Sequence, residues 1–539
     1  MRPRTNQPKP AGRSRKTSRK QLAVASTGTG DPIEHVVVLV LENRSFDQML
    51  GSLKSLHPAL VGIDPNNPGV NEGGGKSYPQ TPTAVPQLPY GVDPKHELAD
   101  VREQVDFGGA QCAGFIHDFL SRYPDKKASA PQVMAYFDRQ GSNRLSVLHT
   151  LAESFAICDH WFCSVPGPTW PNRFFVHSGT SNGWVQMPAG FSHWHDYDQV
   201  TLYDRLNEQR VSWKIYFDDI PQSLMLTHQR RARNRARYER MSNFYADAKG
   251  PADKFPQYAF IEPCYLGGYE NDQHPPANVL DGEVLIAKVY NALRANVTLW
   301  KKTLFVLLYD EHGGFYDQVY PPDHVTPPDA KAGDGFDFKR LGPRVPALLI
   351  SPYAPKAVVP TVFDHTSLLR YLQKKWGLGP LGNRTAQAAS FEDALLPVPR
   401  TDTPAKIPEP STDPHPLGPS VAAPQRRGAR APAKARRGFG PAGAPAPGVT
   451  VNDLQSNLLA FTQLLEAEAK DSPAASARRA FRETRSTEGQ IAVAKERVTQ
   501  FLGASKPKTG RPAGQGRSRR AAPRARGVKP SRRPARLSA

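Results

Sequence analysis

The chain has 539 residues, 39% hydrophobic and 22% charged, with 53 prolines. That balance suits a globular protein of about two or three domains with some unstructured ballast, and no apolar run reaches the roughly 18 residues that a membrane span needs. The four cysteines (Cys112, Cys158, Cys163 and Cys264) include no CxxC pair, which excludes a disulfide scaffold and a cysteine zinc site and leaves them as small buried residues.

The formal net charge of +20 sits at the two ends. Residues 1–30 carry eight Lys/Arg and no acid, residues 503–539 carry twelve and no acid, and residues 31–502 are therefore formally neutral. Both ends read as disordered basic tails suited to anionic partners, nucleic acid or anionic lipid, without sequence specificity. No apolar h-region follows the first tail. A cleavable secretory signal is not expected, and a cytoplasmic location is.

From Asp31 to Arg400 the sequence reads as one α/β body. Five apolar runs read as buried strands: 35–41, 212–217, 258–262, 303–309 and 345–351. Their near-continuous β-branched character predicts a sheet covered on both faces. Between them Gly282 to Leu293 has helical spacing. Residues 401–448 are rich in Pro and Ala and read as a linker. Residues 449–502 regain helical periodicity, with Leu454, Leu458, Phe461 and Leu465 on one face and a second helix from Thr487 to Leu502. This segment is expected to be a helical hairpin packed on the body or an interaction module.

Two strands end alike. The run 35–41 leads into Glu42-Asn43-Arg44-Ser45-Phe46-Asp47, and 303–309 leads into Asp310-Glu311-His312-Gly313-Gly314. Ligands of open α/β sheets bind beyond the carboxyl ends of the strands, so hard oxygen donors are delivered there twice. Such donors suit a divalent cation, which also relieves the repulsion of neighbouring carboxylates. Either motif alone reads rather as a strand-end cap or surface turn; the repetition points to the metal.

Ser164-Val-Pro-Gly-Pro-Thr169-Trp-Pro-Asn172-Arg173 holds one hydroxyl in a stiff turn, as a nucleophile beside a metal requires. Arg173 has the planar fork that matches phosphate. His274 in Asn271-Asp272-Gln273-His274-Pro275-Pro276, and His96 after Tyr90-Gly-Val-Asp-Pro-Lys, are candidate acids or phosphate ligands. Three signals are set aside. Gly179-Thr-Ser181-Asn-Gly183 matches a serine-hydrolase elbow but lacks a following helix. Gly73-Gly-Gly-Lys76-Ser77 lacks the first glycine and the strand of a P-loop. Arg230, Arg231, Arg233, Arg235 and Arg237 read as a solvated helix face.

Taken in order, ENRSFD, GPTWPNR, NDQHPP and YDEHGGFYD resemble the phosphoesterase family of bacterial phospholipases C, plant non-specific phospholipases C and acid phosphatases, over about residues 33–400. YGVDPKHE, FIEP and LGPRVPALLISPY resemble further family blocks. The resemblance implies an α/β, alkaline-phosphatase-like three-layer sandwich with a central, largely parallel sheet. It implies one divalent metal ion, its identity open, on Glu42, Asn43, Asp310 and Glu311. Thr169 would attack phosphorus to give a phosphothreonine, and water would release the product. His96 and His274 would hold phosphate oxygens or protonate the leaving group, and Asn172 would help orient the phosphate. Gln318 and Gln48 depart from the histidines common there in the family, and Gln318 is expected to alter leaving-group protonation or headgroup choice. The expected function is a phospholipase C. A phosphomonoesterase, and a nucleic-acid- or anionic-surface-binding protein working through its tails, are the alternatives.

Overall fold

The computed structural model describes residues 31–187, 195–267, 270–411, 451–468 and 487–503. Both basic tails and most of the expected linker (412–448) lie outside the described residues.

Strand β1, His35–Leu41, is buried at all seven positions. Successive side chains of a strand point to opposite faces, so full burial requires a cover on each side. The other strands, in chain order, are β2 (Val70–Gly73), β3 (Lys76–Pro79), β4 (Ala156–Cys158), β5 (Trp213–Phe217), β6 (Tyr238–Arg240), β7 (Tyr258–Glu262), β8 (Thr303–Tyr309), β9 (Ala347–Ile350) and β10 (Val358–Val359). Eight form one sheet in the order β10-β4-β9-β8-β1-β7-β5-β6. Neighbours run parallel except at β9, which is antiparallel to both β8 and β4. All five runs read as strands are in this sheet, and the mixed α/β, largely parallel architecture follows the expectation.

Two groups of helices pack among themselves. One holds Thr169–Ser178, Leu202–Glu208 and His365–Trp376; the other holds Ser146–Ser154, Met241–Lys249 and Val279–Ala295. The Gly73-Gly-Gly-Lys76 run is the turn of the β2–β3 hairpin, where Gly74 and Gly75 take φ of 57° and 74° as a tight two-residue turn demands. After Gly179 no helix follows, and Ser181 bonds to the Trp184 carbonyl. All four cysteines are unpaired.

The C-terminal segment forms helices Asp453–Glu468 and Thr487–Gly503, which pack on each other. Leu454, Leu458, Phe461, Leu465, Val498 and Phe501 belong to the same buried core as the central sheet. The arginine run corrects the expected solvated face in part. Arg230 is buried and pairs with Glu468 at 3.0 Å, while Arg235 donates to the Phe501 carbonyl at 3.2 Å and lies over its ring. Arg231 and Arg233 pair with Asp204. Arg230 and Arg235 thus dock the hairpin, while Arg231 and Arg233 stay exposed as expected and Arg237 lies over Trp213. The buried charge of Arg230 is tolerated because a carboxylate and carbonyls meet it.

His149, fully buried, donates from Nε2 to the Met49 carbonyl at 2.8 Å, while its Nδ1 has no hydrogen-bond partner among the described residues. Burial lowers its pKa to about 4, against the smaller upward pull of that carbonyl. A folded-state value below the unfolded value means the unfolded chain binds more protons between the two. The stability from this group is full above pH 6.5 and is lost as pH falls towards 4. We expect His149→Gln to lose about 1 kcal/mol less than wild type between pH 7.5 and 5.5 in urea unfolding.

Candidate active site

Leu41 of β1 pairs with Tyr309 of β8, and the Asp310 N–H donates to the Leu41 carbonyl at 3.1 Å. This register brings Glu42 and Asn43 beside Asp310 and Glu311 at the carboxyl edge of the sheet, and all four are fully buried. Asn43 takes a left-handed φ of 51°, a conformation asparagine tolerates better than most residues. Its backbone N–H donates to Asp310 Oδ1 at 3.2 Å. Gly313, at φ 65°, packs so close that a Cβ there would lie 2.3 Å from the Asn43 carbonyl oxygen. The DEHGG turn is thus fitted to the ENR turn.

Thr169 opens the helix Thr169–Ser178, behind an extended Pro168. Its hydroxyl donates to Glu42 Oε2 at 3.2 Å and lies 3.5 Å from Asn43 Oδ1. The helix N-terminus places a partial positive charge beside this hydroxyl, which favours an anion bound there. Asn172 lies one turn into this helix, with its amide on the turn before Thr169. Its Oδ1 accepts from the Val165 N–H at 3.0 Å and its Nδ2 donates to the carbonyls of Val165, Gly167 and Pro168, at 3.1, 2.9 and 3.2 Å. Both ends of the amide fix the turn that presents Thr169.

Arg173, one turn beyond Thr169, meets the protein's own carboxylates. Its guanidinium pairs with Glu42 Oε1 at 2.6 Å and Asp310 Oδ2 at 3.1 Å, and donates to the Val40 carbonyl and the Tyr265 hydroxyl. Gln222, unremarked in the sequence, donates to Glu42 Oε1 at 2.7 Å. Gln318 is turned away from this edge and bonds Asp47 in the buried Asp47–Arg344–Asp317 cluster.

The two histidines meet Thr169 in one cavity of about 20 Å³, also lined by Asp93, Lys95, Glu97, Asp453 and Leu454. Their ring centroids are 6.2 Å apart. His96 has Nδ1 2.8 Å from the Pro94 carbonyl and Nε2 3.6 Å from Glu311 Oε1. Burial lowers its pKa, but Glu311, Asp93 and the Pro94 carbonyl outweigh burial and raise it to about 9. His274 is buried, with Nδ1 2.7 Å from the Pro275 carbonyl.

Too little positive charge serves these carboxylates. Burial pushes Glu42 well up, against the pull of Arg173 and with the push of Asp310, and burial lifts Glu311 to about 7. Glu311 Oε1 is buried with no hydrogen-bond partner among the described residues. No three His, Cys, Asp or Glu side chains among the described residues close on one point as a formed cage. The donors are instead carboxylates with one amide and one hydroxyl, and such an all-oxygen, charge-deficient set fits a hard divalent cation.

A buried hydroxyl beside paired carboxylates, with two imidazoles lining the same cavity, stands at the carboxyl edge of the sheet, and the family this chain matches makes the protein a phosphoric ester hydrolase. The chain belongs to the Phosphoesterase family, whose model matches residues 33–379. It is 37% identical over 419 residues to non-specific phospholipase C6 of Arabidopsis thaliana, covering 70% of this chain and 75% of that one. Phospholipase C B of Mycobacterium tuberculosis is 29% identical over 406 residues, covering 66% and 75%. Among solved structures, an alkaline phosphatase superfamily protein from Vibrio parahaemolyticus covers 47% of this chain and 66% of its own, at 12% identity and a TM-score of 0.27, too low to argue from.

Proposed function

We propose that the protein is a phospholipase C. Thr169 Oγ attacks phosphorus, the bond from phosphorus to the diacylglycerol oxygen breaks, and the phosphorylated headgroup stays on Thr169. Water then displaces threonine and frees the phosphorylated headgroup. The observation that carries this reading is the Thr169 hydroxyl, 3.2 Å from Glu42 and sharing a cavity with His96 and His274. The names of the relatives support the diester substrate.

Glu42 orients the nucleophile, takes the Thr169 proton as the hydroxyl attacks, and returns it to the Thr169 oxygen when water, giving its own proton to His274, frees the headgroup. His96, whose pKa Glu311 and Asp93 raise, holds a phosphate oxygen. His274 gives a proton to the departing diacylglycerol oxygen, work for which an imidazole is suited near pH 7. Glu42, Asn43, Asp310 and Glu311 would hold one divalent cation, which supplies charge that favours the alkoxide of Thr169 and offsets that of the phosphate.

Phosphatidylcholine and a simple phosphate monoester, assayed side by side, test the reading. Diester cleavage is expected; cleavage of the monoester alone would make the protein a phosphatase. Removal of metal by a chelator is expected to abolish turnover and lower the melting temperature, and both are expected to return with a divalent ion. Activity untouched by exhaustive chelation would remove the cation from the mechanism. Deleting residues 1–30 and 503–539 is expected to leave turnover of a soluble substrate within about twofold and to weaken capture of anionic vesicles, each lysine or arginine near such a surface being worth about 1 kcal/mol.

A further inference from the structure

The cavity that holds Thr169, His96 and His274 is also lined by three acids, Asp93, Glu97 and Asp453. Asp453 has a partner, Lys95, at 2.7 Å on an open rim where such a pair contributes little. The other two have none. Asp93 is only 8% exposed, and its Oδ1 is buried with no hydrogen-bond partner among the described residues. Glu97 Oε2 is buried and unpartnered in the same way.

The cations nearest in sequence are turned elsewhere. Lys95 is committed to Asp453. His96 has Nδ1 2.8 Å from the Pro94 carbonyl and Nε2 3.6 Å from Glu311 Oε1, so neither ring nitrogen serves Asp93 or Glu97. Burial lifts the Glu97 carboxyl to about 7, against the pull of His96, as befits an acid short of positive charge. Buried carboxylate oxygens call for donors, and the protein supplies none to these two. With phosphorus set at Thr169, the group that enters the cavity beside it is the headgroup.

We propose that Asp93 and Glu97 form the headgroup subsite and select a primary ammonium, so that an ethanolamine phospholipid is preferred to a choline one. This rests on the reading of the protein as a phospholipase C. A primary ammonium carries several N–H donors and meets Asp93 Oδ1 and Glu97 Oε2 together. A trimethylammonium has no N–H to give and is held best on aromatic faces, yet no Phe, Tyr or Trp lines this cavity. The cavity volume of about 20 Å³ also favours the smaller group. A serine headgroup brings a carboxylate of its own towards Asp93, Glu97 and Asp453, and like charges repel.

The test uses the full, metal-loaded chain on phosphatidylethanolamine, phosphatidylcholine and phosphatidylserine of one acyl composition, each diluted into the same neutral detergent micelles. Wild type is expected to show kcat/KM roughly 10-fold higher for the ethanolamine lipid than for the choline lipid, with the serine lipid lowest. Asp93→Asn and Glu97→Gln keep the shape and remove the charge. Each is expected to cut the ethanolamine-to-choline ratio by about threefold to 10-fold, mainly by raising KM for the ethanolamine lipid. Both are expected to keep the wild-type urea midpoint, because no ion pair is broken; a merely structural role would lower it. Equal cleavage of the two lipids by wild type, a choline preference, or a ratio unmoved in both variants would overturn the proposal and leave the phospholipase reading standing. Absence of cleavage of all three lipids by wild type would overturn that reading, and this proposal with it.

Discussion

Thr169→Ala is expected to lower kcat/KM for diester cleavage at least ~1000-fold, about 4 kcal/mol of transition-state stabilisation, while the protein stays folded. The reason is local. The hydroxyl has one donor, and it goes to Glu42 Oε2 in a turn held by three carbonyls on Asn172. Ser181 is turned to the Trp184 carbonyl and Ser164 Oγ donates to Asp364 Oδ2 at 2.9 Å, and neither lines the Thr169 cavity. The stability change should be only about 1 kcal/mol, because one hydrogen bond in a buried polar cluster is lost without leaving a large void. Substrate binding should survive in part, since His96 and the helix start remain. Near-native turnover by a folded Thr169→Ala protein would show that the nucleophile has been misassigned.

Arg173→Met is expected to cost about 3–5 kcal/mol of stability, read as a fall in the urea midpoint. The guanidinium is the only arginine or lysine charge in contact with Glu42 and Asp310 among the described residues, and Glu262 Oε2 lies 4.0 Å from it. Removing it leaves buried carboxylates facing one another with no counter-charge. Lysine in its place keeps the charge but not the fork that reaches Glu42, Asp310 and Tyr265 at once, so Arg173→Lys should fall between. A divalent ion offers a second source of positive charge to the same carboxylates. The destabilisation of Arg173→Met should therefore shrink in millimolar metal more than wild type gains from it. An unchanged midpoint without metal would contradict the electrostatic picture of the site.

Much of this was legible in the sequence, for physical reasons that also mark where legibility ends. Strands β1, β7 and β8 announce themselves because a strand buried on both faces is apolar at nearly every position. Strands β4, β6 and β10 are two or three residues long and carry no period to read. The pairing of two acid-bearing strand ends could be inferred because both follow parallel strands and so share an edge. The partners of those acids could not. Arg173 reaches Asp310 across 137 positions, Gln222 reaches Glu42 across 180, and Asn452 reaches His274 across 178. The GPTWPNR motif advertises an arginine suited to phosphate, but chemistry alone does not say which anion it meets. In the fold it meets the protein's own carboxylates. The arginine run failed for the opposite reason. Its spacing resembles a wet helix face, and only the docked hairpin, bringing Glu468 and Phe501, shows what covers it.

The central claim is that Thr169 becomes covalently phosphorylated during turnover. Rapid acid quench of the metal-loaded enzyme with phosphatidylcholine, followed by peptide mass spectrometry, tests it directly. A phosphocholine adduct is expected on the peptide bearing Thr169, absent in Thr169→Ala, rising to a steady level during turnover and decaying once the substrate is exhausted. Full diacylglycerol release with Thr169 unmodified at every quench time, or an adduct on another residue, would contradict it.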